Sequence, residues 1–405
     1  MPQRRTTIDA IRGLCLINIF VNHIQDGAIS VVSPSRLGFS DSADIFVLLS
    51  GISIALAASQ ASRRRLPDIV AHLWRRAARI YAFELVIVFA TLGLLAAILA
   101  LRGVTGVHAQ ETGLLREHGF PNLLGHALTL RQTVGYSSVL RLYVALMLIA
   151  PILLRLAGWR FWAPLPPALL LWIAAGHFHL VLSNSLTGAP FFLTILPWTL
   201  IFAVGITIGQ GLVNGVALPR PRWLTGLALG YLVAYLVLAV VVVRLWPAAA
   251  DWAATRNDAF WLGASKTYQS PLRILHVLAL AYLVMALPRA PLIRLLHQVP
   301  RDHLLTRLGR RSLPVFTAGA IGAMLASEAL DLAARSWNAA WFPLLLLEVG
   351  MIALFIGIAL RIGGRPGRTR PSRPAQPEGR ASRRDPQVPT PDRPALGLRE
   401  RAALA

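Results

Sequence analysis

The stretch TIDAIRGLCLINIFVNHIQDGAISVV, Thr7–Val32, has the length of a membrane span, yet it holds Asp9, Arg12 and His23. A charged or titratable side chain at bilayer depth is costly and normally faces a bundle interior or a wet cavity. Each is therefore a functional-site candidate. In an α-helix the eleven steps from Arg12 to His23 make about three turns and a rise of roughly 16 Å, so the two share a face. If the N-terminus is cytoplasmic, that face offers a cation near the inner surface and an imidazole roughly halfway across a hydrocarbon core about 30 Å thick. This is the outline of a transmembrane reaction path.

Composition agrees with a membrane setting. The 405 residues are 55% hydrophobic and only 14% charged, where a soluble domain carries about 25% charge. A formal charge of +22 would point to nucleic acid in a soluble chain; here it belongs to loops and a tail, and nucleic acid is set aside as a partner. Of the 40 basic residues only Lys266 is a lysine. The single cysteine, Cys15, lies inside the first segment and excludes an internal disulfide or a cysteine-based metal site; no metal site is expected. The polar residues of that segment fit no cleavable signal peptide, so the first helix is expected to remain in the mature protein.

Working outward, near-helical apolar segments recur at about 10–31, 43–61, 80–101, 138–157, 162–182, 192–212, 223–245, 270–288, 312–331 and 341–361. The expected fold is an all-α polytopic membrane bundle of about ten transmembrane helices. Arginines crowd alternate connections: Arg63, Arg64, Arg65, Arg75, Arg76 and Arg79 after the second segment, Arg220 and Arg222 after the sixth, and Arg289, Arg294, Arg301, Arg307, Arg310 and Arg311 after the eighth. The intervening loops are poorer, with Arg36 in the first and Arg335 in the last. The positive-inside rule then puts both termini in the cytoplasm.

Residues 1–361 read as one transmembrane domain. Residues 362–405 hold eight prolines, ten arginines and four acids from Gly363 onward; they cannot bury an apolar core and should form a disordered cytoplasmic tail. Its charge should attract the anionic inner leaflet. Two outer loops are long, 102–137 and 246–269, the second with Trp246, Trp252, Phe260 and Trp261. Those aromatics serve either as an interfacial belt or as stacking surfaces for sugar rings.

Four constellations carry chemistry. An imidazole such as His23 is the usual general base, because its ordinary pKa lies near working pH; as a lone polar residue it could equally be packed and hydrogen-bonded. In HLWRRAARIYAFE, Arg76 and Arg79 are neighbours on a helical face, with Arg75 beside them. They are either positive-inside anchors or a phosphate cradle of guanidinium groups, which Arg12 would complete. In RLGFSDSADIFVLLSGISIAL, Ser40 or Asp41 could cap a helix whose first turn holds Asp44; the alternative has Asp44 orienting His23 as a carboxylate partner. Gly51, Ser50 and Ser53 suit close helix packing. In GASKTYQSPLRILHVLALAYL, Lys266 and Arg273 either receive an anionic group or snorkel, and His276 lies about one turn beyond Arg273.

The order RTTIDAIRGLCLINIFVNH, GFSDSADIFVLLSG, SKTYQSPLRILHVLALAYLV and LGRRSLPVF resembles the OpgC family, multi-span inner-membrane proteins that add succinyl groups to osmoregulated periplasmic glucans. That family is placed in the acyltransferase family 3 superfamily, whose Arg and His of the first span match Arg12 and His23, and whose Arg-x-x-Arg matches Arg76 and Arg79. By this resemblance His23 is catalytic, and the reading of the residues adds Asp44 as its candidate partner. Arg12, Arg76 and Arg79 serve an acyl-coenzyme A co-substrate, expected to be succinyl-coenzyme A, with no tightly bound cofactor. From the reading of the residues, not from the resemblance, Asp41, Lys266 and Arg273 are the substrate-binding candidates. The implied partners are a periplasmic glucan, the bacterial inner membrane and proteins of glucan synthesis. An O-acyltransferase acting on another exported polysaccharide or a lipid-linked sugar is the nearest alternative. A proton-coupled transporter using Asp9, Arg12 and His23 as a relay is the alternative from another class.

Overall fold

The computed structural model describes residues 2–33, 38–60, 66–242, 245–256, 258–337 and 340–364. Among them the chain is helical, and the described residues contain no strand beyond an isolated antiparallel bridge between Ser183 and Pro190. In order the helices are α1 (Pro2–His23), α2 (Ser42–Gln60), α3 (Leu66–Arg102), α4 (Ala109–His118), α5 (Phe120–Leu128), α6 (Ser138–Trp159), α7 (Leu165–His177) and α8 (Ile195–Val213). They continue with α9 (Arg222–Val237), α10 (Pro247–Thr255), α11 (Pro271–Ala286), α12 (Pro291–Gln298), α13 (Leu304–Arg310), α14 (Ser312–Ser336) and α15 (Trp341–Gly363). The tail expected to be disordered, and Arg36, Arg63, Arg64 and Arg65 of the orientation argument, lie outside the described residues save for 362–364.

By length and composition α2, α3, α6, α8, α14 and α15 can each cross a bilayer. The pair α11 and α12, bent by 77°, makes a seventh if it is one broken span; Pro288 and Pro291 stand at the bend, where a missing N–H and a fixed φ interrupt a helix. α7 and α9 are apolar but shorter. α1 has the length, 22 residues, but its charges keep it from qualifying on composition. Length and composition thus give six or seven spans of an all-α membrane protein, and the count of ten belongs to the proposal below. α15 displays its apolar side chains outward, with Trp341 75% and Leu354 64% exposed. On a soluble protein such a face would mark an interaction site; here it suits lipid.

Two boundaries differ from the sequence reading. α3 begins at Leu66, so Arg75, Arg76 and Arg79 ride on the helix itself, ahead of the expected start at residue 80. α1 ends at His23, where the sequence reading carried the span on to residue 31. Its end has an identifiable cause. The chain turns through Asp26, in the left-handed region at φ 59°, and the freed N–H groups of Ala28 and Ile29 donate to the Glu348 carboxylate of α15 at 2.8 and 3.2 Å. Glu348 is 1% exposed; a buried carboxylate needs such donors. His23 accordingly stands at a helix terminus and not midway along a span.

The bundle closes through backbone-to-backbone crossings. A β-carbon on Gly51 of α2 would collide with the backbone of Phe202 and Gly205 on α8, and one on Gly205 with the carbonyl of Leu48. α1 crosses α13 in the same manner, Gly13 against Leu305 and Gly309 against Asp9. Small residues at such crossings let membrane helices approach closely, where packing supplies what hydrophobicity cannot. Trp198, Ile201, Phe202 and Ile206 of α8 are fully buried beside the first crossing.

A Gly205→Leu substitution is expected to force α2 and α8 apart and lower stability by about 1–3 kcal/mol. Thermal unfolding of the detergent-solubilised protein measures this, and an unchanged melting temperature would refute the crossing.

Candidate active site

The third and fourth constellations, far apart in sequence, meet at the start of α2 and α11. Asp41 accepts from the Ala43 N–H at 2.8 Å, and the Asp44 carboxylate accepts from the Asp41 N–H at 2.7 Å, so the capping roles foreseen for both exist. Asp44 has no exposed surface. It also accepts from Arg273 and from the Gln269 side-chain amide, each at 2.5 Å. Asp41 pairs with Lys266 at 2.5 Å and with Arg273 at 3.4 Å. Burial works to raise the Asp41 carboxyl, but the Lys266 ammonium and the Arg273 guanidinium overcome it and hold it well below the usual carboxylate range. Two acids and two cations thus compensate one another. The anion foreseen for Lys266 and Arg273 is in each case a carboxylate of the chain itself.

The loop that carries Lys266 is fixed from beneath. Indole N–H groups of Trp172 and Trp198 donate to the carbonyls of Gln269 and Lys266 at 2.7 and 3.1 Å. The Ser270 N–H closes the loop on the Ser265 carbonyl at 3.0 Å. Lys266 also lies over the Phe192 ring, 4.9 Å from its centroid. On the other side of Asp41, the Ser40 hydroxyl meets Nδ1 of His276 at 2.7 Å, which gives His276 a packed, hydrogen-bonded place.

His23 is close enough for Lys266 and Asp41 to act on it electrostatically. Its Nδ1 stands 2.6 Å from the Ile19 carbonyl; a carbonyl only accepts, so Nδ1 carries the proton and Nε2 is left as the basic nitrogen. This corrects the role foreseen for Asp44, whose oxygens are engaged by Arg273, Gln269 and the Asp41 N–H: a backbone carbonyl orients His23. The imidazole packs edge-on against Tyr136, centroids 4.2 Å apart at 86°. The Tyr136 hydroxyl donates to the His23 carbonyl at 2.7 Å, and the Gln25 N–H donates to Ser327 Oγ at 2.9 Å.

Further down α1 the face shared with His23 stays polar. Asn18 donates to Ser42 Oγ at 2.7 Å, and the buried Cys15 lies one turn below Asn18 on the same helix. Arg12 donates to the Leu49 carbonyl at 3.2 Å and approaches Ser50 Oγ at 3.5 Å, while Ser50 donates to the Tyr143 hydroxyl at 3.3 Å. The buried Nε of Arg12 has no partner among the described residues. Arg76, exposed on α3, is within electrostatic reach of Arg12, Tyr143 and Arg79. Arg75 donates back to its own helix at Ala71, whereas among the described residues no ion pair engages Arg76 or Arg79. Asp9 faces Arg310 at 3.7 Å.

Sequence reasoning missed Tyr136, Tyr143, Gln269 and Glu348. Gln269 lies inside a quoted motif and at positive φ, 52°; the polar Glu348 in an apolar segment was a signal available to the rule that picked out Arg12.

An all-α membrane protein with a compensated charge network beside an oriented histidine is what the geometry defines. The chain belongs to the OpgC family: the family model described as OpgC protein matches residues 4–365. Membership suggests a glucan-modifying acyltransferase. Neither curated proteins nor solved structures give a match.

Arg273→Leu would strand the buried Asp44 charge, and breaking one side of such a pair costs about 3–5 kcal/mol. Adding Asp44→Asn should recover a large part of that loss. A double-mutant cycle on thermal unfolding checks both, and additive losses would contradict the pairing.

Proposed function

We propose that the chain is an O-acyltransferase of the bacterial inner membrane that moves an acyl group, in the first instance succinyl, from cytoplasmic acyl-coenzyme A to a hydroxyl of a periplasmic glucan. In this reading the protein crosses the membrane ten times, α1, α7 and α9 included, with both termini cytoplasmic, and it falls in the acyltransferase family 3 superfamily. One observation carries the reading. A histidine whose Nδ1 is committed to the Ile19 carbonyl stands at one end of a polar face of α1, and Arg12 stands lower on that face within reach of Arg76, which Arg79 adjoins.

The phosphates of the donor would lie on Arg12, Arg76 and Arg79, since guanidinium groups bind phosphate through paired hydrogen bonds. Its pantetheine arm would follow α1 past Cys15, Asn18 and Ser42 over the roughly 16 Å to His23. Nε2 of His23 takes the proton of the sugar hydroxyl as the oxygen forms a bond to the thioester carbonyl carbon. Collapse of the tetrahedral intermediate breaks the carbon–sulfur bond, and the thiolate receives the proton from the imidazolium. Lys266, close enough to act on His23, supports the negative charge that develops on the carbonyl oxygen. Asp41, Asp44 and Arg273 hold Lys266 and its loop in place.

General-base catalysis contributes about a hundred- to ten-thousand-fold, so His23→Ala should lose transfer by at least the lower figure while still binding coenzyme A. Mass spectrometry of periplasmic glucans from a deletion strain complemented with wild type or His23→Ala tests this. Unmodified glucans with equally inserted wild type, or full modification with the variant, would refute it. Arg76→Ala and Arg79→Ala should each raise KM for acyl-coenzyme A by about tenfold or more, the cost of one charged hydrogen bond; steady-state kinetics at varied donor reads this, and an unchanged KM would remove the cradle.

A further inference from the structure

A groove of about 780 Å³ runs between α4 and two loop segments that carry Gln132, Thr133, Asn184 and Thr187. It shares no lining residue with the charge network or the arginine cluster, and it borders the segment that packs on the histidine. Gly135 lines it, and the next residue, Tyr136, is the ring packed on His23.

The groove wall is built and pre-ordered. The Thr133 N–H donates to the Asn184 side-chain carbonyl at 2.9 Å, the Asn184 amide donates to the Ala189 carbonyl at 3.1 Å, and the Leu186 N–H donates to the Gln132 side chain at 3.2 Å. Beneath it lies a buried pair that the mechanism does not use. Arg141 of α6, 8% exposed, donates to Thr133 Oγ1 at 2.8 Å while stacked on the Phe191 ring, 3.3 Å from its centroid. Its other terminal nitrogen has no partner among the described residues. Glu84 of α3, 2% exposed and near enough to act on Arg141, likewise has an unpartnered oxygen. Neither side chain lines the groove; Arg141 acts on it through Thr133, whose hydroxyl it holds in place.

The opposite wall, on α4, presents Gln110, Glu111, Arg116 and Glu117. Two acids against one cation disfavour an anionic ligand. Amide, carboxylate and hydroxyl groups side by side are what a polyhydroxylated neutral ligand needs, and the volume falls in the range, about 300–1,000 Å³, that encloses small ligands.

We propose that this groove is the acceptor site: it binds a neutral oligosaccharide chain and guides one hydroxyl past Gly135 and Tyr136 to His23. The inference rests on the acyltransferase reading for its purpose, but its binding claim is tested separately. The full-length protein in nanodiscs is titrated calorimetrically with a neutral β-glucan oligosaccharide, and acyl transfer is measured in parallel. Gly113 on α4 lines the groove, and a β-carbon there would meet only Val104 at 3.6 Å, so Gly113→Phe should fill the groove without disturbing the helix. It is expected to abolish oligosaccharide binding and leave acyl-coenzyme A binding unchanged. Gln110→Ala with Thr187→Ala, both at exposed positions, should weaken binding by roughly two- to tenfold each, the worth of a hydrogen bond, and raise KM for the glucan with kcat unchanged at saturation. Binding that survives Gly113→Phe overturns the proposal, as does equal affinity for an acidic glycan. Wild type that binds no oligosaccharide overturns it whether or not it transfers acyl groups. Groove-dependent binding without any transfer supports the groove and overturns the acyltransferase reading instead.

Discussion

Asp44 is a carboxylate with no exposed surface, at the point where α2 enters the bundle, and the surrounding structure follows from neutralising it. Moving an ion out of water still costs several kcal/mol after relaxation, and only close partners offset that. Arg273, the Gln269 amide and the Asp41 N–H supply them. Arg273 also reaches Asp41, and the second carboxylate takes a second cation, Lys266. The consequence is mechanical. Two helix starts 229 residues apart are locked together, and Lys266 is held within electrostatic reach of His23.

A second constraint acts on the backbone. Where a membrane helix stops, its last carbonyls and the next N–H groups need partners from elsewhere, because lipid offers none. At the end of α1 the Tyr136 hydroxyl takes the His23 carbonyl, while Ser327 and Glu348 take the N–H groups that follow. Three distant segments therefore fix the place of the imidazole. Its rotamer is set within its own last turn by Ile19. This is positioning by second partners, and it explains why no carboxylate is required behind the ring.

What was legible in the sequence is what local rules can see. Arg12 and His23 share a face because helical geometry requires it, and α1 does carry both. The cap at Asp41 and the place of Asp44 in the first turn of α2 followed from residue type and order. The misses are long-range. No local pattern says that Arg273 belongs to Asp44, which is why both cations seemed available to a ligand. The halt of α1 at His23 depends on Glu348, more than three hundred residues away, and the 14-residue extension of α3 below residue 80 was hidden because arginines read as a loop when they stand on a solvated helix end.

The two charged clusters differ in their net charge, and that difference bears on what each can do. The cluster at the start of α2 and α11 is closed: two acids and two cations joined by three ion pairs. The arginine cluster is open: Arg76 and Arg79 are exposed without ion-pair partners among the described residues, Arg12 keeps an unpartnered buried N–H, and Arg12 and Arg79 both act on Arg76 as like charges. A closed cluster is already satisfied and so favours position over ligand capture. An open, like-charged one is costly until an anion arrives, and it gains most from an anion with several phosphates. In the proposed reading, α1 therefore joins a site that gains free energy by binding to a site that has already paid for its geometry, and the thioester travels from the first to the second along a single helix face.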